Sequence, residues 1–286
     1  ITKPVFGPSR RVEALRRVSL TIQPGKALAL VGESGSGKST VGRLIVRHYA
    51  PTDGRILFEG QDIEQNHSRA LEKAYQRSVQ MVFQDPFSAL NPAHTIRHHL
   101  IRPLRLHQPD RDPEQAMLEL LGDVELDPKS TPDKYPHELS GGQRQRVNFA
   151  RALAVNARLI VADEPTSMLD VSIRKSVLGL MRRLKDERGL ALLYITHDIA
   201  TAQYLAEETA VMFRGQIVEQ GPTAEVVGAP RHAYTQLLRA AVPDPAVRLG
   251  SDSTGFAERS AKVRTDAARD VVEMATAGSG HFFALH

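Results

Sequence analysis

The run Gly32-Glu33-Ser34-Gly35-Ser36-Gly37-Lys38-Ser39 constrains the fold more than any other stretch of this chain. It fits the pattern G-x-x-x-x-G-K-[ST] at every fixed position. In front of it, residues 27–31 (Ala-Leu-Ala-Leu-Val) are continuously apolar, the pattern of a parallel strand buried on both faces. Behind it, residues 40–46 carry a helical pattern. Strand, glycine loop and helix together form a phosphate cradle. Glycines let successive backbone N–H groups turn toward phosphate oxygens. The helix N-terminus adds unpaired donors and a positive dipole end. Gly32, Glu33, Ser34, Gly35, Ser36, Gly37, Lys38, Ser39 and Thr40 are therefore expected to hold nucleotide phosphates. Lys38 is expected to reach the outer phosphates, and the Ser39 hydroxyl to bind Mg²⁺.

Further strands are expected at residues 18–22, 55–58, 78–83, 159–162 and 191–196, with a hairpin over 209–219 turning at Arg214-Gly215. Helices are expected over 113–121, 141–154 and 171–185. Strands alternating with helices imply an α/β fold with a largely parallel sheet and ligands at its carboxyl ends. Residues 85–138 differ in texture, being rich in His, Pro and Arg with short helical patterns, and read as an inserted helical subdomain. The expected organisation is a discontinuous nucleotide-binding core (1–84 and 139–240), the insert (85–138) and a C-terminal extension (241–286).

Composition narrows the function classes. The chain has 286 residues, 41% hydrophobic and 24% charged, which is ordinary for a globular protein. No apolar run reaches the ~18–20 residues of a membrane-spanning helix, and no signal peptide is visible. The first residue is Ile1, so a trimmed piece or one half of a fused protein is expected. Cysteine is absent, which excludes thiolate metal sites and an iron–sulfur cluster. The net charge of +4 comes without a block of Lys or Arg, so no nucleic-acid partner is expected.

Asp163-Glu164 follow the apolar run 159–162. A carboxylate at the end of a buried strand can hold Mg²⁺ opposite the phosphates, the role expected of Asp163. A second beside it can deprotonate or orient an attacking water, the role expected of Glu164. Leu139-Ser140-Gly141-Gly142-Gln143 opens a helix with Ser140 as a natural N-cap. This pentapeptide, lying between the phosphate loop and the Asp-Glu strand and continued by Arg144-Gln145-Arg146-Val147, resembles the signature of the ATP-binding-cassette (ABC) ATPases.

The resemblance covers about residues 1–240. It implies a P-loop NTPase (RecA-like) core with a mainly parallel sheet, an N-terminal antiparallel β part and an inserted α-helical subdomain. It implies further site residues: Gln84 contacting Mg²⁺, Ser167-Met168-Leu169-Asp170 as the loop between cassettes, and His197 on the γ-phosphate. Phe6 is implied as an aromatic stacking on adenine. Two such domains would sandwich two ATP molecules, with Ser140, Gly141, Gly142 and Gln143 completing the partner's site in trans. Met168 stands where the family more often has Ala.

Two segments point to one branch. Residues 83–92 (Phe-Gln-Asp-Pro-Phe-Ser-Ala-Leu-Asn-Pro) and 230–238 (Pro-Arg-His-Ala-Tyr-Thr-Gln-Leu-Leu) resemble dipeptide/oligopeptide importer ATPases, with Ala233 where that branch usually has Pro. The branch implies an identical or paralogous second cassette, two transmembrane permease subunits gripped through residues 84–92 and the insert, and indirectly an extracytoplasmic peptide-binding protein. Its place would be peripheral, on the cytoplasmic face of the cell membrane. Import of nickel or glutathione, a non-transport cassette ATPase and a regulatory half without catalysis remain the alternatives. In the extension, residues 250–255 read as a flexible linker, and residues 271–274 with 280–285 as either a small hairpin or disorder.

Overall fold

The computed structural model describes residues 13–65, 68–242, 253–271, 273–278 and 280–285. The first elements are β1 (Ala27–Val31), α1 (Lys38–Ile45), β2 (Leu57–Phe58), β3 (Gln61–Asp62), α2 (Arg69–Ser78) and β4 (Val79–Val82). Two helices follow, α3 (Ile96–His107) and α4 (Pro113–Asp123). The chain then runs through α5 (Gly141–Ala154), β5 (Leu159–Asp163), α6 (Val171–Arg188), β6 (Ala191–Thr196) and α7 (Ile199–Leu205). It ends with β7 (Glu208–Phe213), β8 (Gln216–Pro222), α8 (Thr223–Gly228), α9 (Ala233–Ala240), α10 (Ser253–Asp266), β9 (Met274–Thr276) and β10 (Phe282–Ala284).

The main sheet has the order β4-β5-β6-β1-β7-β8-β10-β9. β4, β5, β6, β1 and β7 are mutually parallel, and β8, β10 and β9 are added antiparallel. β1 is fully buried because helices cover both faces of the sheet. Its side chains divide with the pleat: Ala27, Ala29 and Val31 pack with α3 to α6, whereas Leu28 and Leu30 pack with Val41 of α1. β6 divides in the same way, Leu192 and Tyr194 to one face and Leu193 and Ile195 to the other.

Register fixes where the chemistry falls. Val31 pairs with Thr196, Asp163 with Ile195 and Val82 with Ala162. The carboxyl ends of β1, β4, β5 and β6 are thereby level, and the loops after them open onto one rim.

The fold is the expected α/β P-loop NTPase core with a mainly parallel sheet. Its small antiparallel pair is β2–β3. Residues 18–22 depart from expectation: Val18, Leu20 and Ile22 pack against the α1 side of the core, but among the described residues no strand pairs with them. Alternation records which side chains are covered; a strand needs a ladder partner as well. The strand expected over 55–58 is only Leu57–Phe58.

The described part of the C-terminal extension holds regular structure. Ser253–Gly255, read as linker, start α10, and residues 250–252 lie outside the described residues. β9 and β10 do form a hairpin, and it continues the main sheet by pairing β10 with β8. His281 is buried there, its Nε2 2.6 Å from a carboxylate oxygen of fully buried Glu219 on β8.

Candidate active site

The loop after β1 owes its path to glycine. Gly37 occupies the N-cap of α1 at φ +106°, a left-handed conformation that side chains resist. Among the described residues no side chain caps this helix or partners its first N–H groups, and no acid lies in its first turn. Beside them, the buried Ser36 hydroxyl has no hydrogen-bond partner among the described residues. Unpaired amides and an orphaned hydroxyl at a helix N-terminus fit an anion.

Lys38 is buried and folds back, its Nζ donating to the carbonyls of Gly32 (2.7 Å) and Glu33 (2.8 Å). Burial holds its ammonium below the ordinary lysine range, against the opposing pull of Glu164, Asp163 and Glu33. The Ser39 hydroxyl donates to Asp163 Oδ1 at 3.0 Å. Burial pushes the Asp163 carboxyl above its usual range; the Ser39 hydrogen bond works against this, and the charge of Glu164 adds to it. A buried carboxylate facing a hydroxyl, with few donors to compensate it, fits a hard cation.

Glu164 follows directly, at φ +46°, with its N–H donating to the Ile195 carbonyl at 2.9 Å. Its Oε2 accepts from the Gln84 side-chain amide at 3.4 Å and lies 3.2 Å from His197 Nδ1. Two fixed points hold the His197 backbone. Thr196 Oγ1 accepts from Asp198 N–H (3.1 Å), and the Asp198 carboxylate caps α7 by accepting from Ala200 N–H (2.9 Å). The depression beside Glu164 is walled by Ser167, Tyr194, Thr196 and His197.

Six of the residues singled out in the sequence therefore lie on one rim: Lys38, Ser39, Gln84, Asp163, Glu164 and His197. Ser34 and Gly35 are exposed at the loop tip, and Thr40 is half-buried on α1. Ser140 and Gln143 instead tie up each other at the start of α5. Ser140 Oγ accepts from Gln143 N–H (3.3 Å), and Gln143 Oε1 accepts from Ser140 N–H (2.9 Å). Among the described residues no hydrogen bond or ion pair joins Ser140, Gly141, Gly142 or Gln143 to the loop Gly32–Ser39. Phe6 lies outside the described residues.

What lies behind the loop could not be anticipated from sequence. Glu33 N–H donates to the Tyr234 hydroxyl, 201 positions away, and the Glu33 carboxylate pairs with Arg264, 231 positions away. No local pattern encodes such contacts; only the sheet order brings them together.

Burial of Asp163 has a consequence for stability. Its folded pKa is raised, so the favourable contribution present below the unfolded pKa is lost as pH rises through the folded one. At pH 7 its ionised form opposes folding. Asp163→Asn keeps an acceptor for Ser39 and is expected to raise the unfolding midpoint of the nucleotide-free protein by about 1–4 °C. The gain over wild type should shrink toward pH 4. A midpoint lowered at pH 7 in thermal melts would contradict this account.

Comparison with known proteins agrees with the geometry. The ABC transporter family matches residues 15–167. The oligopeptide transport ATP-binding protein AppF of Bacillus subtilis is 45% identical, over 81% of this chain and 71% of that relative. Its OppF counterpart in the same organism is 44% identical, over 83% and 79%. The glutathione import ATP-binding protein GsiA of Escherichia coli is 46% identical over 82% of this chain, which spans 38% of that longer protein. In three dimensions the chain is similar to the dimeric ATP-binding cassette MJ0796 bound to ADP and Pi (TM-score 0.66, 30% identity, 76% of this chain and 94% of the other). It is also similar to cbiO1 of Clostridium perfringens (TM-score 0.68, 27% identity, 79% and 88%). The chain belongs to the ABC transporter family, as one of its ATP-binding, ATP-hydrolysing cassettes.

Proposed function

We propose that this cassette powers uptake of di- or oligopeptides through a membrane permease. The observation that carries the reading is the split between two half-sites. Lys38, Ser39, Gln84, Asp163, Glu164 and His197 share one rim, while Ser140–Gln143 stand apart on α5, placed to serve another chain. A second cassette, identical or paralogous, supplies the missing half.

In this reading the loop amides of Gly32–Thr40 and Lys38 bind the phosphates, and Phe6 stacks on the adenine. Ser39, Asp163 and Gln84 hold Mg²⁺, which supplies positive charge against the phosphate oxygens when bound. Glu164 accepts the proton of the attacking water as its oxygen bonds to the γ-phosphorus and the bond to the ADP oxygen breaks. His197 orients Glu164 and donates toward the γ-phosphate. Residues 1–84 and 139–240 form the catalytic core, residues 85–138 the helical insert and residues 241–286 the extension. Exposed Phe83, and Phe87 at the start of the insert, suit a permease surface. The assembly has two permease subunits, works with an extracytoplasmic peptide-binding protein, and places this chain at the cytoplasmic face. Among the described residues, no helix is long and apolar enough to cross a membrane.

Peptide is favoured over glutathione because the relatives named for oligopeptide transport are matched over 71% and 79% of their length. The test is reconstitution with the permease and binding protein in vesicles. Oligopeptide should stimulate ATP hydrolysis and accumulate in an ATP-dependent way. Stimulation by glutathione or nickel alone would overturn the substrate assignment.

A further inference from the structure

Glu33, the second residue of the phosphate loop, is held from behind by two elements, α9 at the end of the core and α10 of the C-terminal extension. Tyr234 of α9 is fully buried, its ring packed 4.4 Å from that of Phe213, and its hydroxyl accepts the Glu33 N–H at 3.1 Å. Arg264 of α10 places Nη2 2.7 Å and Nε 3.1 Å from one Glu33 carboxylate oxygen. A third donor of the same guanidinium, Nη1, is fixed on Ser260 Oγ at 2.7 Å. The Glu33 carbonyl in turn receives Lys38.

These holds are themselves anchored. Buried Glu219 of β8 accepts the N–H groups of Arg231 (2.8 Å) and His232 (3.0 Å), fixing the start of α9. The same carboxylate meets His281 of the tail hairpin. A series of polar contacts thus links the β9–β10 hairpin through Glu219 and α9 to the loop. Packing alone does not call for it, since Phe would fill the Tyr234 site equally well. The Arg264–Glu33 pair is also too exposed to stabilise the fold appreciably (47% and 36%).

We propose that Tyr234 and Arg264 are positioning residues for the phosphate loop, so that α9 and α10 together set how tightly the cassette holds ATP. They act by fixing Glu33, and so the carbonyl on which Lys38 rests. The proposal rests on the reading of Gly32–Ser39 as the ATP loop.

The test uses the full chain and MgATP titrations, with turnover measured in the assembled complex. Tyr234→Phe and Arg264→Gln should each weaken ATP binding about three- to tenfold. KM should rise in parallel while kcat stays within about twofold. The melting midpoint of Arg264→Gln should match wild type, which separates positioning from a structural role. Arg264→Lys should recover part of the affinity. In a Glu33→Ala background, which removes the acceptor, Arg264→Gln should have no further effect. Wild-type affinity in Arg264→Gln, or an undiminished effect in that background, overturns the proposal. Lys38→Ala is the control for the underlying reading: if it still binds ATP, the loop assignment fails, whatever the Arg264 result.

Discussion

Glu164→Gln is expected to lower ATP turnover by about a hundred- to ten-thousandfold while leaving ATP binding intact. The side chain is 18% exposed and sits where β5 ends, its backbone locked to Ile195. Gln84 and His197 both address its Oε2. Glutamine has the same shape and keeps an acceptor for both neighbours, so the rim stays assembled. It cannot take a proton from water. The loss therefore falls on the chemical step and not on binding. Equilibrium binding and single-turnover hydrolysis in the assembled complex separate the two. Turnover within tenfold of wild type would remove Glu164 as the base.

Gly32→Ala is expected to damage both binding and stability, for a reason unrelated to backbone conformation. A Cβ at Gly32 would lie 2.2 Å from the Met212 carbonyl oxygen and 2.9 Å from Ser36 Oγ. The carbonyl cannot retreat, because Met212 is in β7, paired to β8 on one side and next to the β1 ladder on the other. The loop must move instead, at a cost of about 2–3 kcal/mol, with ATP affinity falling at least about tenfold. Gly35→Ala is the informative contrast. That position has open space around it but φ +80°, so only the left-handed strain of about 1–2 kcal/mol applies. Urea unfolding should rank the two variants in that order. Equal costs would mean that the approach to Met212 is not the constraint.

The legible parts of this fold are those with one dominant signal. β6 and α5 match the expected spans 191–196 and 141–154, one from a continuous apolar run and the other from a capping residue and a helical period. β5 extends one residue further, because its pairing with β6 carries Asp163 into the ladder opposite Ile195. The rim was legible in two ways: the glycine motif and the Asp-Glu pair, each set against a buried strand, pointed to Lys38, Ser39, Asp163 and Glu164, whereas Gln84 and His197 came only from the family resemblance. Residues 18–22 misled because a half-covered face looks the same with or without a pairing partner. α10 was hidden because Gly, Ser and Thr at its start favour turns in isolation. The brace on Glu33 was invisible because Tyr234 and Arg264 look like ordinary helix residues until the sheet order is known.

The capping box on α5 has a consequence for the proton inventory at that helix end. A serine hydroxyl offers two lone pairs and one O–H. Holding Gln143 N–H uses one lone pair of Ser140 and leaves its hydrogen uncommitted. The side chain can secure its own helix and still donate to an anion carried by a neighbouring molecule. Neither bond has to break for the other to form, so donation to an anion would leave the capping box intact.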